Sequence, residues 1–381
     1  MSFAAFRGRR GAAAALAVVA IVVAAVAVYL SRASAEPATE SASADSALAP
    51  ASAAAPADPS GPSGALSSAG ASAPPSATAK TTPKAPVTGW VPVDKAAWKA
   101  QADAYNVLKA DPVPAGVGNL AEFRADCSYS HSAADDPIVF PGLPGSSHMH
   151  SFIGNAATKA STTVEDLQRY TATSCKPVQD HSAYWVPTLY DNKTGKPVET
   201  TGFRVYYRSM MNTSAGQMPM PTGLRMIAGD AKKSVPTPRG AKGQFYCAFY
   251  GPGDLDGIAR STNGNWPICG DGATFHFMLQ FPDCWDGEHL DSPNHKDHVA
   301  YGYNNTCPAD HPVKIPAITF DIQYGVKGQP EGYYLSSDKD GKSASSMHGD
   351  AFVVWDTATM NSRTRNCIQQ RRTCDDFGYQ R

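Results

Sequence analysis

The sequence predicts a mostly β domain, an antiparallel sandwich or a jelly-roll-like relative of one, with long loops and few short helices. Several segments of strand length alternate apolar and polar residues with period two. Glycine (32 residues) and proline (30 residues) recur between them as turn punctuation. No strand–helix–strand rhythm and no internal repeat runs along the chain, which argues against a doubly wound sheet.

In chain order, Arg7, Arg9 and Arg10 precede an uncharged apolar run from Gly11 to Leu30, about the length that spans a bilayer. Positive flanks stay in the cytoplasm, so the rest of the chain is expected outside the membrane. Ala33-Ser34-Ala35 resembles a signal-peptidase site, whereas the length of the run suits an uncleaved anchor. Both readings place the domain outside, secreted or held to the membrane by one N-terminal helix. From Glu36 to Val87 the chain is Ala, Ser, Pro and Thr with few large apolar residues, the composition of a disordered tether. Pro92 to Ala110 reads as a lead-in with one amphipathic helix carrying Trp98, Ala102, Tyr105 and Leu108, ended by Asp111-Pro112 and Pro114. The expected organisation is thus 1–35 targeting segment, 36–88 tether, 89–118 lead-in and 119–381 β-rich domain.

Within that domain a short helix is expected to begin at Thr162 or Thr163, because Thr163 and Asp166 form a capping box. Strands follow. Over Gly202 to Ser209, Phe203, Val205 and Tyr207 oppose Arg204, Tyr206 and Arg208. Over Gln244 to Tyr250, Phe245, Cys247 and Phe249 share a face. Over Ala273 to Phe281, Phe275, Phe277, Leu279 and Phe281 do so, and over Ile318 to Tyr324, Ile318, Phe320, Ile322 and Tyr324. Ala351 to Trp355 is a short apolar run. The 8 cysteines all fall between Cys127 and Cys374, which suits a disulfide-bonded exported domain. Proximity pairs Cys367 with Cys374 and Cys284 with Cys307. A net charge of -1, with no large basic excess, argues against a nucleic-acid binder, whose affinity comes mostly from clustered Lys and Arg.

The residues able to carry chemistry cluster in three places. In an extended His148-Met149-His150-Ser151-Phe152-Ile153-Gly154, His148, His150 and Phe152 share a face, as half of a metal site or as an acid/base pair beside an aromatic ring. The loop from Pro282 to His298 is dense in acids and imidazoles and holds Asp286, Asp291, His295, Asp297 and His298. His348 and Asp350 share a face if extended, so the carboxylate could complete a metal shell or hold an imidazole in one tautomer. Tyr184, Trp185 and Trp285 suit sugar faces, and Arg204, Tyr206 and Arg208 suit an anionic ligand. There is no G-x-S-x-G elbow, P-loop, H-E-x-x-H or G-x-G-x-x-G. Paired C-x-x-C zinc spacing is also absent, so a metal would sit on histidines and carboxylates.

The motif string H-M-H-S-F-I-G, Ser182 to Tyr190, Gly223 to Asp230, Phe281 to Gly287, Leu290 to Tyr301, Cys307 to Val313 and Met347 to Asp350, in that order, resembles a secreted family. That family is catalogued as domain of unknown function nineteen-ninety-six. The resemblance covers roughly Asn119 to Trp355. Relatives in fungi and actinobacteria often carry a WSC carbohydrate-binding module, which implies a cell-wall or polysaccharide setting. Here the tether stands where that module would be. Relatives are expected to have Ala-Asp-Phe after the histidine of the last motif, where this chain has Gly349-Asp350-Ala351-Phe352. The family name supplies no reaction.

Three functions follow from the residues. The first is an extracellular carbohydrate-active enzyme, hydrolase or lyase, acting on cell-wall or environmental polysaccharide. Its catalytic groups would be His148, His150, His298, Asp297 and Asp350, with Tyr184, Trp185, Trp285, Asp286 and Arg204 on the substrate. The second is a non-catalytic polysaccharide-binding or adhesion module. The third is a domain that binds zinc or copper through His148, His150, His295, His298 and His348. The enzyme and metal readings both require imidazoles far apart in the chain to converge.

Overall fold

The computed structural model describes residues 89–235, 241–249, 257–338 and 344–380. The apolar N-terminal run and the Ala/Ser/Pro stretch lie outside these residues. The alternating segments form strands, because only the pleated conformation sends all their apolar side chains to one side. The principal strands are β1 (Glu122–Cys127), β2 (Tyr129–Ala133), β3 (His150–Gly154), β4 (Ala183–Pro187), β5 (Thr200–Arg208), β6 (Leu224–Gly229), β7 (Gly243–Phe249), β8 (Ala273–Gln280), β9 (Ala317–Tyr324) and β10 (His348–Val353). One five-stranded sheet has the order β1-β5-β9-β8-β7 and a second the order β2-β3-β4-β10-β6, all neighbours antiparallel.

The sheets meet face to face. Phe123, Val205, Tyr207, Phe277, Ile318 and Phe320 from the first are buried in one apolar cluster with Ile153, Tyr184, Val186, Met226 and Ala351 from the second. Tyr184 of β4 touches Phe203 of β5 and Phe320 of β9 across the interface, with ring centroids 5.8 and 5.5 Å apart. Gly349 also faces inward. A Cβ there would come within 2.9 Å of Leu279 Cδ2 and Phe320 Cε2, so the missing side chain allows the close approach of β10 to the first sheet. This is the position at which relatives are expected to carry alanine.

The outer face of the first sheet is polar and half-buried. Arg204 pairs with Asp126 at 2.5 Å and Arg208 pairs with Glu122, each across the β1–β5 ladder. The cations expected to await an anionic ligand are therefore already neutralised by cross-strand carboxylates.

The outer face of the second sheet is covered. Phe152, Ala183, Trp185 and Phe352 form a smaller apolar cluster with Ile138 of the segment after β2 and Leu167 of a short helix. That helix, α2 (Val164–Arg169), has the expected capping box: Asp166 N donates to Thr163 Oγ1 at 3.2 Å and Thr163 N to Asp166 Oδ2 at 3.1 Å. The lead-in helix α1 (Lys95–Val107) starts at an Asp94 cap. Its buried stripe differs from the expected one. Tyr105 is buried and donates to the Gln217 carbonyl, Gln101 is buried beside Met220, and Trp98 meets Trp285 edge-on at 5.1 Å. Leu108 falls outside the helix and is exposed, because the chain leaves the helical conformation there.

Disulfides join Cys127–Cys175, Cys247–Cys269, Cys284–Cys307 and Cys367–Cys374, so both pairs expected from proximity are present. Such crosslinks belong to an oxidising, extracellular setting. No helix among the described residues is long and apolar enough to cross a membrane.

Candidate metal centre

The first residue of β3, His150, and the first residue of β10, His348, lie on the outer face of the second sheet with β4 between them. His150 is paired with Pro187 of β4. Carrying the β4–β10 register two residues beyond Asp350↔Trp185 sets Pro187 opposite His348. The two imidazoles reach across β4 to a centroid distance of 5.9 Å. His148, just before β3, joins them at 4.2 Å from His150 and 5.0 Å from His348. One ring nitrogen from each of His148, His150 and His348 lies within 4.8 Å of the others. The alternation that sends His150 outward also sends Ser151 to the opposite side, and in β10 it separates His348 and Asp350 from the inward Gly349.

The tautomers follow from the backbone. His150 Nδ1 is 2.9 Å from the Asp135 carbonyl and His348 Nδ1 is 2.8 Å from the Ser346 carbonyl. A carbonyl only accepts, so both Nδ1 atoms carry the proton and both Nε2 atoms carry the lone pair. Burial disfavours a second proton. It takes His148 down to about 3 and His348 to about 4, and it holds His150 well below its ordinary value with the other two imidazoles adding to the effect. The cluster is therefore neutral at pH 7, the state in which imidazole binds metal. An N–H donated to a carbonyl is also the usual support behind a metal-bound histidine.

Asp350 lies two residues along the same face, on the row formed by Phe152, Trp185 and Ile227. Both of its carboxyl oxygens are buried without a hydrogen-bond partner among the described residues, as are Nε2 of His148 and of His150. Buried polar atoms in folded proteins are nearly always partnered, which makes this group of atoms unusual. Burial, with the neighbouring Asp136 charge second, pushes the Asp350 carboxyl well above the ordinary range. Asp136 accepts from Ile138 N and Val139 N at 2.9 Å each, and burial raises it to about 6. Asp135 orients His150, and Asp136 sits beside Asp350. Neither had been singled out from the sequence, where the only signal was an Asp-Asp-Pro step before an apolar segment.

The 291–298 loop approaches this centre but adds no ligand to it. β6 is an edge strand, and the loop covers its free carbonyls. His298 Nε2 donates to the Arg225 carbonyl at 2.6 Å, and Lys296 Nζ donates to the Gly229 carbonyl at 2.7 Å. His298 Nδ1 also meets Ser292 Oγ, so both its nitrogens are engaged. His295 is held by Asp291 at 2.9 Å, and Asp297 is exposed with its N–H bonded inside the loop. His295, His298 and Asp297 thus brace the loop and the sheet edge, apart from the three-histidine set. Asp286 accepts from Glu288 N and His289 N and closes its own turn. Lys296 is the loop's contribution to the centre, as a positive charge beside His348 and Asp350.

The aromatic residues expected on a sugar cleft are core. Tyr184 is fully buried and bonded to Asp180 and Tyr207, and Trp285 is fully buried with its N–H on the His289 carbonyl. Trp185 is fully buried between Phe152 and Asp350. Rings without exposed surface cannot stack on a saccharide arriving from solvent. Arg204 is committed to Asp126.

A family model described as Domain of unknown function (DUF1996) matches residues 136–355, more than half of the chain. The chain belongs to the DUF1996 family. The matched segment opens at Asp136 and closes just after β10, so it encloses all three histidines and both buried carboxyl groups of the centre. No curated protein and no solved structure matched this DUF1996 chain.

Proposed function

We propose that this DUF1996 protein is an extracytoplasmic metalloenzyme whose His148, His150 and His348 hold one zinc or copper ion. The carrying observation is that three neutral imidazoles, delivered by segments 200 residues apart, bring ring nitrogens within 4.8 Å of one another. Imidazole suits both metals. A structural zinc site closes with four protein ligands, whereas three protein ligands and an open position is the catalytic pattern. His148 is only partly buried, unlike His150 and His348. A metal bound there would lower the pKa of a coordinated water and supply a nucleophile or base at neutral pH. Asp350 and Asp136 would exchange protons with it, and Lys296 would stabilise developing negative charge. That chemistry suits the hydrolytic or lytic attack on polysaccharide expected from the sequence.

The test is elemental analysis of protein purified without chelator, followed by zinc and copper titration of the stripped protein. One equivalent per chain is expected, lost in His148→Ala and His348→Ala variants that keep the parent's circular dichroism. The metal-loaded protein is then incubated with a wall-polysaccharide panel and assayed for new reducing ends or unsaturated products. Failure to take up either ion at micromolar concentration overturns the metal centre. Uptake without product across the panel overturns the polysaccharide-cleaving role and leaves the binding site.

A further inference from the structure

A cleft of about 330 Å³ opens where β5 and β8 end, far along the chain from the three histidines. Asp283 lies at its floor, 3% exposed, with Oδ1 accepting from Gly302 N at 2.7 Å. Asn212, Gln280 and Asn304 line its walls, and their side-chain amides make no hydrogen bond to another described residue. Lys242 completes the wall, its ammonium 4.3 Å above the Tyr301 ring.

Two features show that the hollow is built. A Cβ at Gly302 would come 2.8 Å from Met211 Cε and 3.3 Å from both Asp283 oxygens, so any larger residue there would roof over the carboxylate. Asn304 and Asn305 both adopt left-handed backbone, at φ 48° and 66°, a conformation costly for most side chains. It is held by the bond from Asn212 N to Asn305 Oδ1 at 2.6 Å and by the Cys284–Cys307 disulfide that closes the loop. Of the lining residues Met210 is 44% exposed, and Tyr303, between the lining residues Gly302 and Asn304 in sequence, is 78% exposed.

The donors and acceptors define the ligand class. One carboxylate beside one ammonium gives the cleft no net charge, which suits neither a phosphate nor a metal ion. Unpartnered amides, a carboxylate and an ammonium together bind hydroxyls that both donate and accept. An exposed tyrosine ring such as that of Tyr303 stacks on apolar C–H faces. We propose that this cleft is a binding subsite for a neutral saccharide, formed by Asp283, Asn212, Gln280, Asn304 and Lys242, with the exposed Tyr303 next to Asn304 in the chain as its stacking ring. It is independent of whether the histidine centre holds a metal.

Native gel electrophoresis of the intact protein in gels containing a soluble β-1,3-glucan, a galactomannan or an arabinoxylan tests this. At least one of these is expected to retard the protein. Tyr303→Ala, at a position whose side chain makes no hydrogen bond to the described residues, should weaken retardation roughly three- to tenfold. Asn304→Ala should weaken it as well. Phe377→Ala, which removes a 91% exposed ring elsewhere, should leave it unchanged. Chelator treatment should also leave it unchanged, which separates this subsite from the metal reading. Absence of retardation by all three polysaccharides overturns the proposal. So does equal retardation of the parent and the Tyr303→Ala and Asn304→Ala variants at matched melting temperature.

Discussion

Replacing His348 by glutamine in metal-free protein tests the electrostatic account of the centre. Burial takes the His348 imidazole from 6.5 to about 4, so the native state refuses a proton that the unfolded chain accepts. Between those values the unfolded state binds more protons, and stability falls as pH falls. The contribution of His348 is fully present above pH 6.5 and fully lost below about pH 4. Linkage for this one group gives a loss of about 2 kcal/mol from pH 7 to pH 5, and about 3 kcal/mol in the acid limit. Asp136 and Asp180, both raised to about 6 by burial, act in the opposite sense, because protonation favours their native form. The total pH dependence therefore hides the histidine, but the difference between parent and variant reveals it. Glutamine does not titrate, so the stability lost between pH 7 and pH 5 should be about 2 kcal/mol smaller in His348→Gln, as measured by urea unfolding with disulfides intact. Zinc at 100 times its Kd should add about 2.7 kcal/mol to the parent at pH 7, and much less to the variant. Equal pH dependence of the two proteins, within about 0.5 kcal/mol, would refute a buried neutral His348.

Gly229→Ala should disturb the centre without touching a ligand. Gly229 has φ +83° and is paired with His348, and a Cβ there would lie 2.6 Å from the Met347 carbonyl oxygen and 2.8 Å from His348 Cα. A loss of about 1–3 kcal/mol is expected together with weakened zinc binding, and unchanged melting with unchanged zinc titration would count against the register described. Removing the Cys127–Cys175 crosslink, which spans 48 residues, should cost about 4 kcal/mol by loop entropy. Chemical denaturation of the double Cys→Ala variant measures this, and a loss under about 1 kcal/mol would show that the unfolded chain is already restrained there.

The strands were legible because a half-buried sheet imposes period-two alternation on its residues. Phe203, Val205 and Tyr207 face the core and Arg204, Tyr206 and Arg208 face outward, as their alternation implies. The capping box at Thr163, the Cys367–Cys374 disulfide and the closeness of His148 to His150 are likewise local, set by neighbours within a few residues. Density of acids and imidazoles misled in the 286–298 loop. A short polar loop satisfies its own backbone and the edge of β6 with the same side chains that a catalytic site would use. Aromatic content misled at Tyr184, Trp185 and Trp285, because a ring's composition does not say which side of a sheet it occupies.

By itself the chain determined a disulfide-bonded antiparallel β fold, since alternation along a pleated backbone and cysteine content dictate it, and it placed His148 and His150 within two residues of each other. Only tertiary structure decided which distant imidazole joins them. His348 is selected over His295 and His298 because only one strand, β4, separates β3 from β10, while His295 and His298 are held by Asp291, Ser292 and the Arg225 carbonyl in their own loop and at the edge of β6. Strand order is a long-range property of the sandwich, carried by the packing of Tyr184, Phe203 and Phe320 across its core, and no local pattern records it.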